Sequence, residues 1–281
     1  MSGYRTAANI VTIFFPAVTF AGSSPSHKYK SVRSLLNYNL IFYQMKSISF
    51  FLVSFLLSLS AVAQTAIRDA NAEVRPAKNF HAIRVSSGIE LILVQGNEEA
   101  LAVSAVNDEH RKNIKTVVDD GVLKISYDNS VWKKNQGNRK LKAYVSAIKI
   151  DDIHVSSGAS VKIDGRLRSP ELGIDVTSGA NFKGEINADR LVVDQSSGSV
   201  VDISGAAGTL KVEGSSGSVF NGYELAVENG EADISSGGLI HVTVNKELSA
   251  EASSGGAISY KGKGVIRNIK TGSGGSVQKK G

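Results

Sequence analysis

The sequence predicts an all-β fold: a single parallel β-solenoid, β-helix-like, with coils of about 19 residues and an irregular N-terminal β cap. Three observations carry this reading. A Ser-Ser-Gly tripeptide or close variant ends at Gly88, Gly158, Gly179, Gly198, Gly217, Gly237, Gly255 and Gly274. From Gly158 onward these glycines stand 18 to 21 residues apart, the spacing of a repeat in which one coil stacks on the next. Apolar residues keep fixed positions relative to each Gly and alternate with polar ones, which is the pattern of half-buried strands.

Three residues after each Gly stand Leu91, Val161, Phe182, Val201, Phe220, Ile240, Ile258 and Val277, all apolar. Five residues before it stand Ile83, Ile153, Ile174, Val193, Val212, Ala232, Ala250 and Ile269, again all apolar. Polar side chains such as Lys162, Lys183, Asp202, Asn221 and His241 follow one position after the first column. A second break falls at Gly165, Gly184, Gly205, Gly222, Asn245 and Gly262, so each coil holds two or three short strands joined by tight turns. Inward side chains of successive coils are expected to form continuous apolar ladders. Ser precedes every repeat Gly. Eight copies of one hydroxyl point to turn chemistry, not to a nucleophile, which needs one activated copy beside a base. Strand parity places this Ser inward at a corner, with Gly supplying a positive φ.

The domain reading has four parts. Residues 1–44 are an over-extended start outside the fold. Residues 45–63 form a secretory signal peptide: Met45-Lys46, the apolar run Ile48 to Leu59, and Ala61-Val62-Ala63 before Gln64. The run is too short to span a membrane as a helix. Residues 64–78 are a flexible polar lead-in. Residues 79–281 are the solenoid, irregular over 79–150 and regular over 151–281. Between Gly88 and Gly158 the alternating runs Leu101 to Val106, Val122 to Tyr127 and Leu141 to Ile150 supply the cap. Terminal lysines at 279 and 280 are expected to guard the exposed edge of the last coil.

The formal net charge is +6. The first 63 residues carry Arg5, Lys28, Lys30, Arg33 and Lys46 and no acid, so the basic balance belongs to the leader and gives no argument for nucleic acid. There is no Cys, hence no disulfide, thiolate metal site or lipidated Cys.

The order of elements resembles the "Putative auto-transporter adhesin, head GIN domain" family of exported bacterial proteins. The resemblance rests on Phe80-His81-Ala82-Ile83-Arg84-Val85-Ser86-Ser87-Gly88 followed by Ile89 to Val94, then Gly121-Val122-Leu123-Lys124-Ile125, Leu141-Lys142-Ala143-Tyr144-Val145 and the Ser-Ser-Gly coils. It covers about residues 79–277. It implies a β-solenoid of the cell envelope, adhesion-type, with no catalytic residues to carry over. The expectation is an exported, non-enzymatic structural or adhesion-type binding module, in the periplasm or on the surface of a Gram-negative bacterium. Its partner would be a surface glycan or another envelope protein. The alternative is an envelope carbohydrate-active β-helix enzyme, which would need a long lateral loop over clustered acids.

Two constellations invite a functional reading. Four residues before each Gly the column reads Arg84, His154, Asp175, Asp194, Glu213, Asp233, Glu251, Lys270. Five successive carboxylates suggest a strip that binds Ca²⁺ or, on the bland reading, a solvated face offset by Lys162, Lys183, Lys211, His154 and Lys270. No metal site or other cofactor is assigned. The basic loop with Trp132, Lys133, Lys134, Arg139 and Lys140 suggests an anion- or sugar-binding tip, or a solvated hairpin. No pair among His81, His110, His154 and His241 has zinc spacing. A Ser-His-Asp set of Ser156 or Ser157, His154 and Asp152 is rejected for want of geometry.

Overall fold

The computed structural model describes residues 69–128, 130 and 139–280. The 1–44 segment, the 45–63 signal peptide and the 64–68 start of the lead-in lie outside the described residues, as do Trp132, Lys133 and Lys134. The described chain is a parallel β-solenoid of about seven turns.

The regular coils are β9 (Ser160–Val176), β10 (Asn181–Gln195), β11 (Val200–Gly214), β12 (Val219–Ile234) and β13 (Leu239–Ala252). Each pairs in parallel with the next, one coil further on: Phe182 opposes Val201, Val201 opposes Phe220, and Phe220 opposes Ile240. The second column stacks likewise through Val193, Val212, Ala232 and Ala250. These ladders form one continuous core, and Phe182 and Phe220 are its largest fully buried side chains. Fully burying such a side chain contributes about 1.5–3 kcal/mol. The register slips at Lys183/Glu185, Asp202/Ser204 and Gly222/Ala226, near the second breaks read from the sequence.

The repeat turns differ from expectation. Ser and Gly both have positive φ, for example 52° at Ser216 and 72° at Gly217. Two successive left-handed residues with a return bond, Ala159 N–H to the Ser156 carbonyl at 3.1 Å, make a type I′-like turn. That geometry turns the repeat Ser outward. Ser157, Ser178, Ser197, Ser216, Ser236 and Ser254 are exposed, not inward. The inward corner belongs to the residue after Gly: Ala159, Ala180, Ser199, Ser218, Gly238 and Gly256 are buried. Left-handed φ costs a non-Gly residue roughly 1–2 kcal/mol. A corner ladder offsets it, because the repeat glycines from Gly88 to Gly255 each donate their N–H to the repeat Ser carbonyl of the next coil in the stack, as Gly158 does to Ser178 at 3.0 Å and Gly198 to Ser216 at 3.0 Å.

The N-terminal part explains the long gap between Gly88 and Gly158. Strands β1 (Glu73–Arg75), β2 (Ala82–Val85) and β3 (Glu90–Gln95) come first, then β4 (Ala100–Ser104), helix α1 (Asp108–Lys112), β5 (Ile114–Asp119), β6 (Val122–Tyr127), β7 (Lys142–Ala147) and β8 (Asp152–Val155). Strands β2 and β3 lie between two other coils: β2 pairs with β6 and β8, and β3 pairs with β7 and β9. The chain thus leaves the stack after β3, builds the outer coil, and returns at β8. Antiparallel β1, β4 and β5 close this end. Strand β1 falls inside the stretch read as lead-in. At the other end β14 (Ala257–Lys261), β15 (Val265–Thr271) and β16 (Ser276–Lys279) finish the stack. Ile269, expected in the core, is 44% exposed there, since among the described residues β15 pairs with β13 alone.

Candidate functional site

The charged column is real and continuous. Parallel register lines up Lys124, Arg84, His154, Asp175, Asp194, Glu213, Asp233, Glu251 and Lys270 across nine strands of one face. Five carboxylates in a row are therefore flanked by cations at both ends. Neighbouring strands stand about 4.8 Å apart, where two like charges repel by on the order of 1 kcal/mol in water.

Local pairing splits the five acids into two kinds. His154 Nδ1 meets Asp175 Oδ2 at 2.9 Å, Lys211 Nζ meets Glu213 Oε1 at 2.6 Å, and Lys270 Nζ meets Glu251 Oε2 at 3.2 Å. Asp194 and Asp233 have no ion pair among the described residues. Their carboxyls are pushed above the ordinary range, Asp194 by partial burial and then by Glu213 and Asp175, and Asp233 by partial burial and then by Glu251 and Glu213. The same field raises Lys211, chiefly through its hydrogen bond with Glu213. Lys162 and Lys183, expected to offset this column, stand in a different one: Lys162 opposes Lys183, and Lys183 opposes Asp202. Among the described residues no three of His, Cys, Asp or Glu converge into a metal-holding group. The acids stand one per coil along the sheet. His154 faces Asp175 of the next coil, so the Ser156–His154–Asp152 grouping does not assemble.

The second polar column holds contacts that sequence reasoning missed. Asn221 Nδ2 donates to Asp202 Oδ1 at 2.6 Å, and Asn221 Oδ1 lies 3.1 Å from His241 Nδ1. The Tyr223 ring stacks on His241 with centroids 4.8 Å apart and planes at 14°, and Lys261 Nζ sits 4.3 Å from the Tyr223 centroid. Burial and then Lys280 lower the His241 pKa, favouring a neutral imidazole. The signal was one-coil spacing between Tyr223, His241 and Lys261, which differ in residue type and so form no visible repeat.

Of the basic-loop candidates, Arg139 and Lys140 are described. The Arg139 guanidinium lies 5.0 Å from the centroid of the Tyr127 ring, whose hydroxyl is 2.8 Å from the buried His110 Nδ1. Arg139 is thus tied to the cap. Lys140 has a left-handed φ of 43°. A shallow open groove of about 580 Å³ runs across successive coils over Ala188, Ala206, Ala207 and Ala226, with Arg168 and Glu228 at its rim. Among the described residues no helix is long and apolar enough to cross a membrane.

Comparisons with known proteins fit this geometry. The family profile described as "Putative auto-transporter adhesin, head GIN domain" matches residues 79–264. No curated protein matches the chain. The fold is similar to a crystal structure described as a "putative adhesin" from Bacteroides fragilis, with 20% identity, a TM-score of 0.66, and coverage of 74% of this chain and 96% of that one. It is also similar to a "putative adhesin" from Parabacteroides distasonis, with 17% identity, a TM-score of 0.60, and coverage of 74% and 96%. A third similar structure, from Parabacteroides distasonis, is described as a "putative lipid binding protein"; identity is 18%, TM-score 0.58, and coverage 76% and 98%. At these identities the likeness is one of fold.

Proposed function

The chain belongs to the auto-transporter adhesin, head GIN domain family, and from that premise we propose an exported, non-enzymatic, adhesion-type binding module of the bacterial cell envelope. The observation that carries this reading is the uniformity of the regular coils. They close with Ser-Gly corners, and among the described residues no long lateral loop roofs the acid column. A carbohydrate-cutting β-helix would gather its acids in a walled groove, whereas these acids stand one per coil on an open face. A repetitive polar face suits a surface glycan or another envelope protein. The motif Ala61-Val62-Ala63 supports secretory export to the periplasm or surface of a Gram-negative cell.

Cell fractionation, protease treatment of intact cells and N-terminal sequencing test the proposal together. The expected protein lies outside the cytoplasm and begins near Gln64. Cytoplasmic protein retaining residues 1–44 would overturn export and the Met45 start. Breakdown of envelope polysaccharide that is lost in Asp194→Asn with Glu213→Gln would replace the binding module with the enzyme.

A further inference from the structure

One strand edge lies open in the interior of the chain. Strand β5 follows α1 and turns through Asp120 and Gly121 into β6, both turn residues holding left-handed φ, 48° and 73°. It pairs with β6 alone, from Ile114 opposite Tyr127 to Asp119 opposite Val122. At the next pair the Asn113 carbonyl accepts the Asp128 N–H at 3.0 Å. Bonded pairs alternate along an antiparallel ladder, so Lys115, Val117 and Asp119 direct their backbone groups at β6, and Thr116 and Val118 direct theirs at the outer edge. Among the described residues no backbone group meets them there.

The side chains along this edge are complementary to their own reversed copy. Lys115 is 59%, Val117 57% and Asp119 63% exposed. An edge of one sign repels a second copy and so guards against pairing. This edge instead sets opposite charges at equal distances either side of an apolar residue. In an antiparallel pair with its two-fold axis through Val117, Thr116 exchanges backbone hydrogen bonds with Val118 of the second copy, and Val118 with Thr116. Val117 then meets Val117, and Lys115 meets Asp119 at both ends. An axis through Thr116 would set Lys115 against Val117 and Asp119 against Asn113. An axis through Val118 would set Asp119 against Val117 and Lys115 against Gly121. Of these three registers the one centred on Val117 satisfies both charges. Within one copy Asp119 also meets Lys124 at 2.6 Å, and Lys115 lies 3.9 Å from Asp128. Each junction would therefore be a row of alternating sign: Lys124, Asp119, then Lys115 and Asp128 of the second copy.

We propose that β5 is the surface through which two copies of this chain pair head to head, edge to edge, with one sheet running through both. Val117 stands opposite Lys124, the first cation of the charged column. The paired copies thus share one outer face, with a carboxylate row towards each end and Lys124, Arg84 and His154 of both copies between the rows. One strand pair is a small contact, so the assembly belongs with the weak, concentration-dependent ones. The inference rests on the ladder and its charges, not on the export or adhesion reading.

Sedimentation velocity of the purified chain over a concentration series tests it. The expected result is a dimer that grows with concentration and weakens with added salt. Lys115→Asp places two acids at the facing positions, and Asp119→Lys places two bases there. Each variant alone is expected to dimerise at least about tenfold more weakly, a loss of about 1.4 kcal/mol. An equimolar mixture of the two variants restores opposite charges at both junctions and is expected to recover the dimer. Amide hydrogen exchange is expected to slow on dimerisation at Thr116 and Val118 and to stay unchanged at Val117, whose N–H already bonds to β6. A monomer at every concentration up to about 1 mM would overturn the proposal. So would a dimer indifferent to both single substitutions, or a mixture that associates no better than its components. Thr116 and Val118 amides protected equally at every dilution would mean that another part of the same chain already covers the edge, and would overturn it too.

Discussion

Ile234 occupies the space that a side chain at Gly214 would need. A Cβ built on Gly214 would lie 2.5 Å from Ile234 Cδ1, and one built on Gly238 would lie equally close to the same atom. Gln195, Gly214 and Ile234 are consecutive members of one inward column, so a long residue, an empty position and a branched residue alternate along the axis. The column is filled by complementary volumes, and each residue's size is fixed by its neighbours one coil away.

Gly214→Ala is therefore expected to destabilise by about 1–3 kcal/mol through overpacking, since Gly214 has no positive φ to blame. Combining it with Ile234→Val should recover part of that loss. Denaturant unfolding of the two single variants and the double measures the coupling. Strict additivity would mean that the two positions do not share this space.

The core ladder makes a second prediction. Phe220 is 0% exposed between Val201 and Ile240, while Lys183 stands on the outer surface. Phe220→Ala should cost about 3–5 kcal/mol by leaving a cavity, and Lys183→Ala should cost less than about 0.5 kcal/mol. Equal losses in thermal or denaturant unfolding would reverse the facing of the strand.

The repeat turns make a third. Ser216 and Gly217 both hold left-handed φ. Asn tolerates that region better than Ser and is favoured before Gly in such turns. Ser216→Asn should raise the melting temperature by about 1–2 °C, corresponding to a gain of several tenths of a kcal/mol. Gly217→Ala should lower it although open space surrounds the position, because the penalty is conformational. A stabilising Gly217→Ala would contradict the left-handed assignment.

The period, the apolar ladders and the outer carboxylate column were legible because each repeats a side-chain class at one position per coil. The facing of the repeat Ser was not. Strand parity counts alternation only along extended backbone, and two left-handed residues in succession reset it, moving the inward corner to Ser199 and Ser218. The exposure of Ile269 escaped because a column position does not show on how many sides its strand is paired. The Tyr223–His241–Lys261 contact escaped because three unlike residues stack there, and only their spacing repeats. The place of β2 and β3 inside the stack was hidden by the long excursion that separates them in sequence from β8.

The carboxylate column makes the last prediction, and it concerns pH. Asp194 and Asp233 have pKa values raised in the folded state by partial burial and by the acids on either side. For a raised carboxyl the folded state binds its proton more tightly than the unfolded chain. The associated stability is thus fully present below the unfolded pKa of about 3.9 and is lost as pH rises through the folded value. At neutral pH these two ionised groups weigh against folding. Asp194→Asn with Asp233→Asn should therefore be more stable than the parent at pH 7, and the difference should shrink as pH falls toward about 4. The parent itself need not gain stability in acid, because Asp69, Glu73, Asp119, Asp128 and Asp151 are shifted down and contribute the opposite slope. The comparison must be between parent and variant at each pH. Ca²⁺ at millimolar levels is expected to stabilise the parent only as far as Mg²⁺ or Na⁺ of equal ionic strength does, by screening the row. A saturable Ca²⁺ titration in calorimetry, absent from the double variant, would instead make the row a cation strip, and the parent would then be the more stable protein in calcium.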